Sequence, residues 1–405
     1  MKKTLNPFLI LLAITLAIHF FLPLNWGDDK VFNAESVMSL SVFLKGSSRI
    51  LTDTMTYVFC RWHFLWRFIN PFIITFLVYC LSQITDIDIS ERKQIFALYA
   101  VTLFPTMFMV DAGFIATTVN YLWPTTFGMY NILLFKRACN REPVSVLQKI
   151  FAFPLLIYAL NMEQMSAVLT VVFVAGTIYF IYSKHLNFYT LLQALISVAG
   201  LLYAYFGNVT GDASRMVREI GRYFPDFESL NIFQKIELGF SSTFYCMLFD
   251  LRFASIGFAA FTAFLSFMIF KKTNKLSYKI LSVILPCLSL VLSTLNLFFK
   301  FTELTHYRMT KAIYHFDLVE DIFFIFIAIA VFAELFILIG KNLTLVKCYL
   351  IICLGTMTRM IMGFSPTVWA SGYRTFCLMF IAFILVAFTV YRYNSPDCGP
   401  ACKSL

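Results

Sequence analysis

The chain contains little charge for its length. Asp, Glu, Lys and Arg make up 13% of the 405 residues, against about 25% in an ordinary soluble domain. Hydrophobic residues make up 60% and include 48 phenylalanines. The core of a water-soluble protein cannot hide that much apolar surface, and long apolar runs are typical of membrane-spanning helices. The composition therefore predicts an all-α, polytopic membrane protein.

Several catalytic signatures are also absent. The sequence has no phosphate-binding loop of the G-x-x-x-x-G-K-S/T type, no G-x-S-x-G nucleophile elbow and no H-E-x-x-H zinc-binding helix. We expect no cytosolic nucleotide-binding domain. An activated donor substrate would then have to reach the site from the membrane.

Cysteine usage indicates no disulfide framework. Most of the ten cysteines lie within or beside apolar runs, where a thiol behaves as a small hydrophobic group. Cys398 and Cys402 have no histidine near them, so this tail pair favours a metal site only weakly. No metal ligand is therefore predicted.

Apolar runs long enough to cross a bilayer alternate with polar breaks, which predicts a transmembrane helical bundle of about 12 spans. The first run follows Met1-Lys2-Lys3 and is longer than the apolar part of a signal peptide, so we expect it to stay as a span. We expect one transmembrane domain, 1-393, and a short cytoplasmic tail, 394-405. The predicted spans are 7-24, 67-84, 94-110, 120-135, 147-161, 163-182, 187-206, 251-270, 279-299, 319-340, 346-363 and 375-393.

The distribution of charge predicts the orientation of these spans. The net charge is +10, but the basic residues fall mostly in one set of compact breaks, so we interpret them as topology signals and not as a nucleic-acid surface. Lys and Arg concentrate in cytoplasmic loops, which places these breaks and both termini in the cytoplasm. The acidic residues then face outward. The predicted outer loops, in which we expect amphipathic interfacial helices, are 25-66, 207-250, 300-318 and 364-374.

The first outer loop carries the strongest candidates for catalysis. Asp28 and Asp29 directly follow an apolar run, at the water boundary, where a carboxylate can stay charged and meet a lipid-borne substrate. Glu163 is wedged between two apolar runs, so burial there is costly unless the carboxylate is paired. The alternatives are plain ones: the two aspartates would be polar stops for a helix, and Glu163 a helix cap or polar clasp.

Substrate- and phosphate-binding candidates are spread over several outer loops. Arginine spacing after Gly211 puts three guanidinium groups on one helix face, where they could grip phosphate, and a histidine can exchange protons near neutral pH. An arginine inside a span must face a polar cavity or pair with a carboxylate; for Arg359 the two alternatives are a phosphate site and an ion pair with Glu334. The candidates are Arg49, Asp111, Tyr121, Asn208, Arg215, His315, Arg359 and Arg374.

Taken together, these motifs resemble the polytopic GT-C class of glycosyltransferases, and more closely a bacterial family of multi-span proteins placed near it. The resemblance is carried by Gly27-Asp28-Asp29, Gly46-Ser47-Ser48-Arg49 to Asp53, Tyr121-Leu122-Trp123-Pro124, Glu163-Gln164, Gly207-Asn208 and Arg359 through Arg374-Thr375.

The resemblance implies transfer of a sugar from a polyprenyl-phosphate-linked donor to a cell-envelope polysaccharide or glycolipid, on the outer face of a bacterial plasma membrane. Asp28 or Asp29 would serve as base or would position a divalent metal, which is left open as a cofactor. The expected partners are membrane lipid, the lipid-linked sugar donor and a glycan acceptor, with no nucleic acid. Two other functions stay open: a non-catalytic translocator (flippase) of lipid-linked saccharide, and an assembly scaffold.

Overall fold

The computed structural model describes residues 5–24, 26–34, 39–44, 47, 49–108, 113–210, 213–250, 253–299 and 312–395. Within these ranges the chain forms helices and turns and no strand. Among the described residues, eight helices are long and apolar enough to cross a membrane, so the chain is a helical membrane protein. They are His63–Ile84, Glu163–Tyr182, Phe188–Phe206, Phe253–Lys272, Leu276–Phe299, Leu318–Ile339, Leu343–Phe364 and Tyr373–Tyr393.

All twelve predicted runs overlap helices in the described ranges. Two of them, Pro7–Phe21 and Val146–Ala159, are apolar but shorter than the eight long helices. The prediction of a helical membrane protein is therefore confirmed, whereas the number of twelve spans stays a prediction. The chain divides into two compact units, Met1–Ala213 and Ser214–Leu405, and the predicted domain 1-393 extends over both. From residue 396 onward the predicted tail lies outside the described residues.

Unit 1 contains the first eleven α-helices. A π-helical turn, Thr118–Leu122, joins α7 to α8 without a break in the helix. Helix α9 begins with a capping box, in which Ser145 and Gln148 each accept a hydrogen bond from the other's backbone N–H. The helices are α1 (Pro7–Phe21), α2 (Asp28–Ala34), α3 (Leu40–Phe43), α4 (Ile50–Phe59), α5 (His63–Ile84), α6 (Arg92–Phe108), α7 (Phe114–Thr117), α8 (Trp123–Cys139), α9 (Val146–Ala159), α10 (Glu163–Tyr182) and α11 (Phe188–Thr210).

Short turns connect α8, α9, α10 and α11, so unit 1 has two distinct ends. At the first, here called the loop end, α7 and α10 begin and α4 packs against the π-helical turn. At the second, here called the basic end, α8 and α10 finish and α9 and α11 begin. Because α10 has 20 residues, the two ends lie about 30 Å apart at 1.5 Å per residue.

Helices at the basic end stop in an unusual way. Asp86, Arg141 and Lys184 follow the ends of α5, α8 and α10, and each has a positive φ, near +58°. In each case the next residue donates a backbone hydrogen bond to the carbonyl five positions earlier, as Glu142 does to Arg137 at 2.9 Å. Glycine usually occupies this left-handed position. Here charged residues occupy all three.

Unit 2 contains α12 to α18. Helix α13 packs so closely on the 3₁₀ turn Ile361–Phe364 that side chains are excluded: a Cβ added to Gly239 would lie 2.0 Å from the carbonyl oxygen of Met360. The helices are α12 (Ala213–Tyr223), α13 (Ile232–Leu248), α14 (Phe253–Lys272), α15 (Leu276–Phe299), α16 (Leu318–Ile339), α17 (Leu343–Met360) and α18 (Cys377–Tyr393).

A small apolar cluster joins three separate segments of unit 2. Phe224 and Phe227 follow α12, Ala312 precedes α16, and Val368 lies in the loop before α18; all are buried together. The Ala312 N–H also donates to the Tyr223 carbonyl oxygen at 2.9 Å. The loops that connect the spans of unit 2 therefore have a core of their own.

Candidate functional site

The central feature of the loop end is a two-bond ion pair. Arg49 immediately precedes α4, and Glu163 is the first residue of α10. Arg49 Nε donates to Glu163 Oε1 at 2.9 Å, and Arg49 Nη2 donates to Oε2 at 2.7 Å. Such a planar arrangement is the strongest geometry for an arginine–carboxylate pair. The carboxylate also lies where the dipole of α10 favours negative charge.

Tyr121 completes this cluster. The Arg49 guanidinium carbon lies 5.9 Å from the centroid of the Tyr121 ring. Tyr121 belongs to the π-helical turn and is 8% exposed. Turns of this kind occur frequently at functional sites. Three sequence candidates, far apart in the chain, are therefore neighbours.

The surrounding polar residues, which the sequence did not mark as site residues, hold the first loop in place. The Ser47 hydroxyl accepts from the Arg49 N–H at 2.9 Å and donates to Asp53 Oδ2 at 2.5 Å. The Leu51 N–H donates to Asn161 Oδ1 at 3.0 Å, which ties α4 to the turn before α10. The only sequence signal for Asn161 was its position next to Glu163.

Asp29 has a structural position. Its carboxylate is fully buried and accepts hydrogen bonds from the N–H groups of Ile115, at 3.0 Å, and Ala116, at 2.8 Å. It therefore caps the helix that begins with α7, although it lies 86 residues earlier in the chain. The pKa of the Asp29 carboxyl is raised, because the effect of burial is larger than the opposing effects of the backbone N–H groups of this helix and of His63. In this conformation an acceptor hydroxyl cannot reach Asp29.

Asp28 differs from its neighbour in accessibility. It is the first residue of α2 and is partly exposed, whereas Asp29 is fully buried. Burial raises the pKa of the Cys60 thiol, and the charges of the nearby Asp29 and Asp28 carboxylates raise it further. Of the two adjacent aspartates, only Asp28 offers a carboxylate to solvent at the loop end.

Gly113 makes room for the Asp29 cap. Its φ is +97°, and a Cβ there would lie 2.7 Å from Asp29 Cγ. We expect Gly113→Ala to lower the free energy of unfolding by about 1–3 kcal/mol, the cost of a strained backbone residue, or more because of the clash. The measurement is thermal unfolding of the purified protein in detergent.

Two glycines provide matched controls for this prediction. Gly340 has a φ of +75° and Gly221 is helical, and a Cβ at either would have no heavy atom within 4 Å. Gly340→Ala therefore tests backbone strain alone, and Gly221→Ala should be neutral or slightly stabilising. If Gly113→Ala melts no lower than Gly340→Ala, the contact with Asp29 contributes nothing.

In unit 2, the structure contradicts one of the two alternatives for Arg359, the ion pair with Glu334. Arg359 Nη2 instead donates to the Val368 carbonyl oxygen at 2.9 Å, and the guanidinium lies 4.8 Å from the centroid of the Phe376 ring. Glu334 is 2% exposed in α16, and neither of its carboxylate oxygens has a hydrogen-bond partner in the described part of the chain. The Arg359 guanidinium binds the backbone of the loop that follows its own helix. Glu334 is left without a hydrogen-bond partner among the described residues.

Arg374 also holds the last loop. Its Nε donates to the Ser371 carbonyl oxygen at 3.0 Å, and the side chain is partly exposed. Both arginines of this segment thus bind backbone carbonyls of residues 365–371.

The remaining candidates are not part of a cluster that the structure describes. His315 is exposed in the segment before α16. Asn208 and Arg215 belong to α11 and α12, but their side chains lie outside the described residues, as does Asp111 altogether. Within the described ranges, no group of three or more His, Cys, Asp or Glu side chains is arranged to hold a metal ion.

Comparison with known proteins gives no information on the function of this site. The chain matches no family model, no curated protein and no solved structure.

Proposed function

We propose that the chain is a membrane glycosyltransferase that transfers a sugar from a polyprenyl-phosphate-linked donor to a cell-envelope polysaccharide or glycolipid. One observation carries the proposal: the accessible carboxylate of Asp28 and the oriented guanidinium of Arg49 belong to the same loop, at the same end of unit 1. A base for the acceptor and a cation for the departing phosphate are the two groups that this reaction needs.

Arg49 is suited to bind phosphate. Its bonds to Glu163 use Nε and Nη2, and Nη1 has no hydrogen-bond partner among the described residues. The side chain is 32% exposed, so Nη1 can donate to a phosphate oxygen while Glu163 keeps the guanidinium plane fixed. Glu163 is then a positioning residue and does not itself act as an acid or base.

In the proposed reaction, Asp28 and Arg49 each have one role. The acceptor hydroxyl oxygen forms a bond to the anomeric carbon of the sugar, and its proton passes to the Asp28 carboxylate. The bond between that carbon and the phosphate oxygen breaks, and the polyprenyl phosphate leaves with its negative charge stabilised by Arg49. Asp29 keeps α2 attached to the start of α7, so that Asp28 stays at this end of the unit.

The orientation supports a site on the outer face of a bacterial plasma membrane. The basic end carries Lys136, Arg137, Arg141 and Lys149, and such clusters mark the cytoplasmic side. The loop end, about 30 Å away, then faces outward, and both termini are cytoplasmic. A polyprenyl-linked donor would enter from the outer leaflet.

The test is the glycan composition of cells with and without this chain. Linkage analysis and mass spectrometry of the cell envelope should show one sugar that is missing after deletion and restored by the wild-type chain. An unchanged envelope glycan after deletion, in cells shown to contain the wild-type protein, would contradict the proposal.

A second candidate function is translocation of a lipid-linked saccharide without chemistry. It is favoured by Glu334, because an ionisable side chain buried in a span with no described partner often marks a transport pathway. The two functions differ in their need for a base. Full restoration of the missing sugar by an Asp28→Asn chain would favour the translocator.

A further inference from the structure

A cavity lies at the basic end of unit 1, at the opposite end from the loop site. Its volume is about 810 Å³, within the range of about 300–1,000 Å³ that is typical of small-molecule sites. The final turns of α8 and α10 and the first turns of α9 and α11 line it. Nothing in the proposed transfer reaction uses this end.

The cavity is lined by cations that lack carboxylate partners. The cations are Arg141 and Lys149, and His185 also lines the cavity. Arg141 Nη2 contacts His185 Nε2; because a guanidinium can only donate, the histidine nitrogen accepts. Lys149 Nζ lies 5.7 Å from the centroid of the Tyr189 ring. In the described part of the chain neither Arg141 nor Lys149 forms an ion pair.

The carboxylate in the lining is used elsewhere. Glu142 Oε1 accepts from Asn140 Nδ2 at 3.0 Å. Glu142 keeps its negative charge, but it forms no ion pair with Arg141 or Lys149 in the described part of the chain. Two cations against one carboxylate leave the lining positive, which suits an anion.

Arg141 is maintained at a cost in backbone energy. Its φ of +59° is a left-handed conformation that costs a residue with a Cβ roughly 1–2 kcal/mol. Glycine would remove that cost but would also remove the guanidinium.

Five aromatic side chains also line the cavity. Phe153 and Tyr189 pack edge to face with their ring centroids 5.7 Å apart, and Phe180 is buried. Tyr179 and Phe188 are 61% and 78% exposed, and they belong to helices that can cross the membrane. The cavity therefore combines a cationic lining with an apolar rim that faces the lipid.

We propose that this cavity binds the phosphate headgroup of an anionic membrane phospholipid. Arg141 and Lys149 contact the phosphate, and the aromatic rim contacts the glycerol and the upper acyl chains. The inference rests on residues 138–192 alone and is independent of the proposed sugar transfer. A lipid bound here would join α8, α9, α10 and α11 at the end where only short turns connect them.

The test measures lipid binding by the full chain purified in detergent, using native mass spectrometry with phosphatidic acid, phosphatidylcholine or inorganic phosphate as the probe. We expect Arg141→Gln and Lys149→Gln each to weaken phosphatidic acid binding about tenfold, which corresponds to roughly 1.4 kcal/mol. Arg141→Gln keeps a Cβ, so the backbone strain is the same in both proteins.

Lys93→Gln is the matched control, because Lys93 is an exposed cation near the start of α6 and does not line the cavity. It should change the affinity less than twofold. Equal loss in Lys93→Gln, no loss in either cavity variant, or binding of inorganic phosphate as tight as that of phosphatidic acid would overturn the proposal. If Arg141→Gln does not fold, Lys149→Gln carries the test, since Lys149 lies in an unstrained helical turn.

Discussion

We expect Asp28→Asn to reduce the proposed sugar transfer by roughly 10² to 10⁴-fold, which is the usual contribution of a general base. The amide has nearly the size and shape of the carboxylate, but it cannot take the proton of the acceptor hydroxyl. The measurement is the amount of the missing sugar restored in deletion cells by the Asp28→Asn chain, compared with wild type at equal protein level in the membrane.

Asp29→Asn is the matched comparison, since the two positions are adjacent. Asp29 accepts from two backbone N–H groups and is fully buried. An asparagine there turns an amide N–H group towards one of these donors, and loss of a buried hydrogen bond costs about 1–3 kcal/mol. We therefore expect Asp29→Asn to lower the melting temperature of the protein. A full rate with Asp28→Asn in stable protein would exclude the assigned base.

We expect Glu163→Ala to reduce the proposed transfer about 10²-fold, because the Arg49 guanidinium loses both bonds that fix its plane. Misplacement of a catalytic group by about 1 Å is sufficient for a loss of this size. Arg49→Lys should be similarly poor, although it keeps the charge, since an ammonium group cannot form the two-bond geometry. The readout is the initial rate of sugar transfer in membranes.

A double-mutant cycle distinguishes positioning of Arg49 by Glu163 from two independent effects of these residues. If Arg49 and Glu163 act as one unit, Arg49→Ala with Glu163→Ala should be hardly worse than the more damaging single variant. Asp88→Asn is the control, because Asp88 is an exposed carboxylate between α5 and α6. Losses that add fully in the double variant would show that the ion pair does not position the arginine.

The helical membrane fold was predictable from the sequence because it depends on local runs of apolar residues. Arg49, Tyr121 and Glu163 were selected as candidates because they are polar or amphipathic residues near such runs. Their contact was not predictable, since Arg49 and Glu163 are 114 positions apart and spacing along a chain does not reveal which helix ends meet.

The failed pair shows the same limit more clearly. Arg359 and Glu334 were matched because opposite charges at membrane depth should attract. In the structure the Arg359 guanidinium binds a partner that is closer along the chain. It donates to the Val368 carbonyl oxygen, nine residues away, and the Phe376 ring covers it. Asp29 was likewise identified as an unusual carboxylate, but its role depends on a helix start that no local pattern connects to it.

The long-range bonds of the first loop also set an order for biosynthesis. Asp29 can bind the Ile115 N–H only after 86 further residues have been made, and Arg49 can bind Glu163 only after 114 further residues. At about 5–20 residues per second, a ribosome needs roughly 6 to 23 seconds to make the second interval. During that time the loop has been synthesised but lacks these two partners. The loop end is therefore completed late, after the ribosome has made α5 to α9.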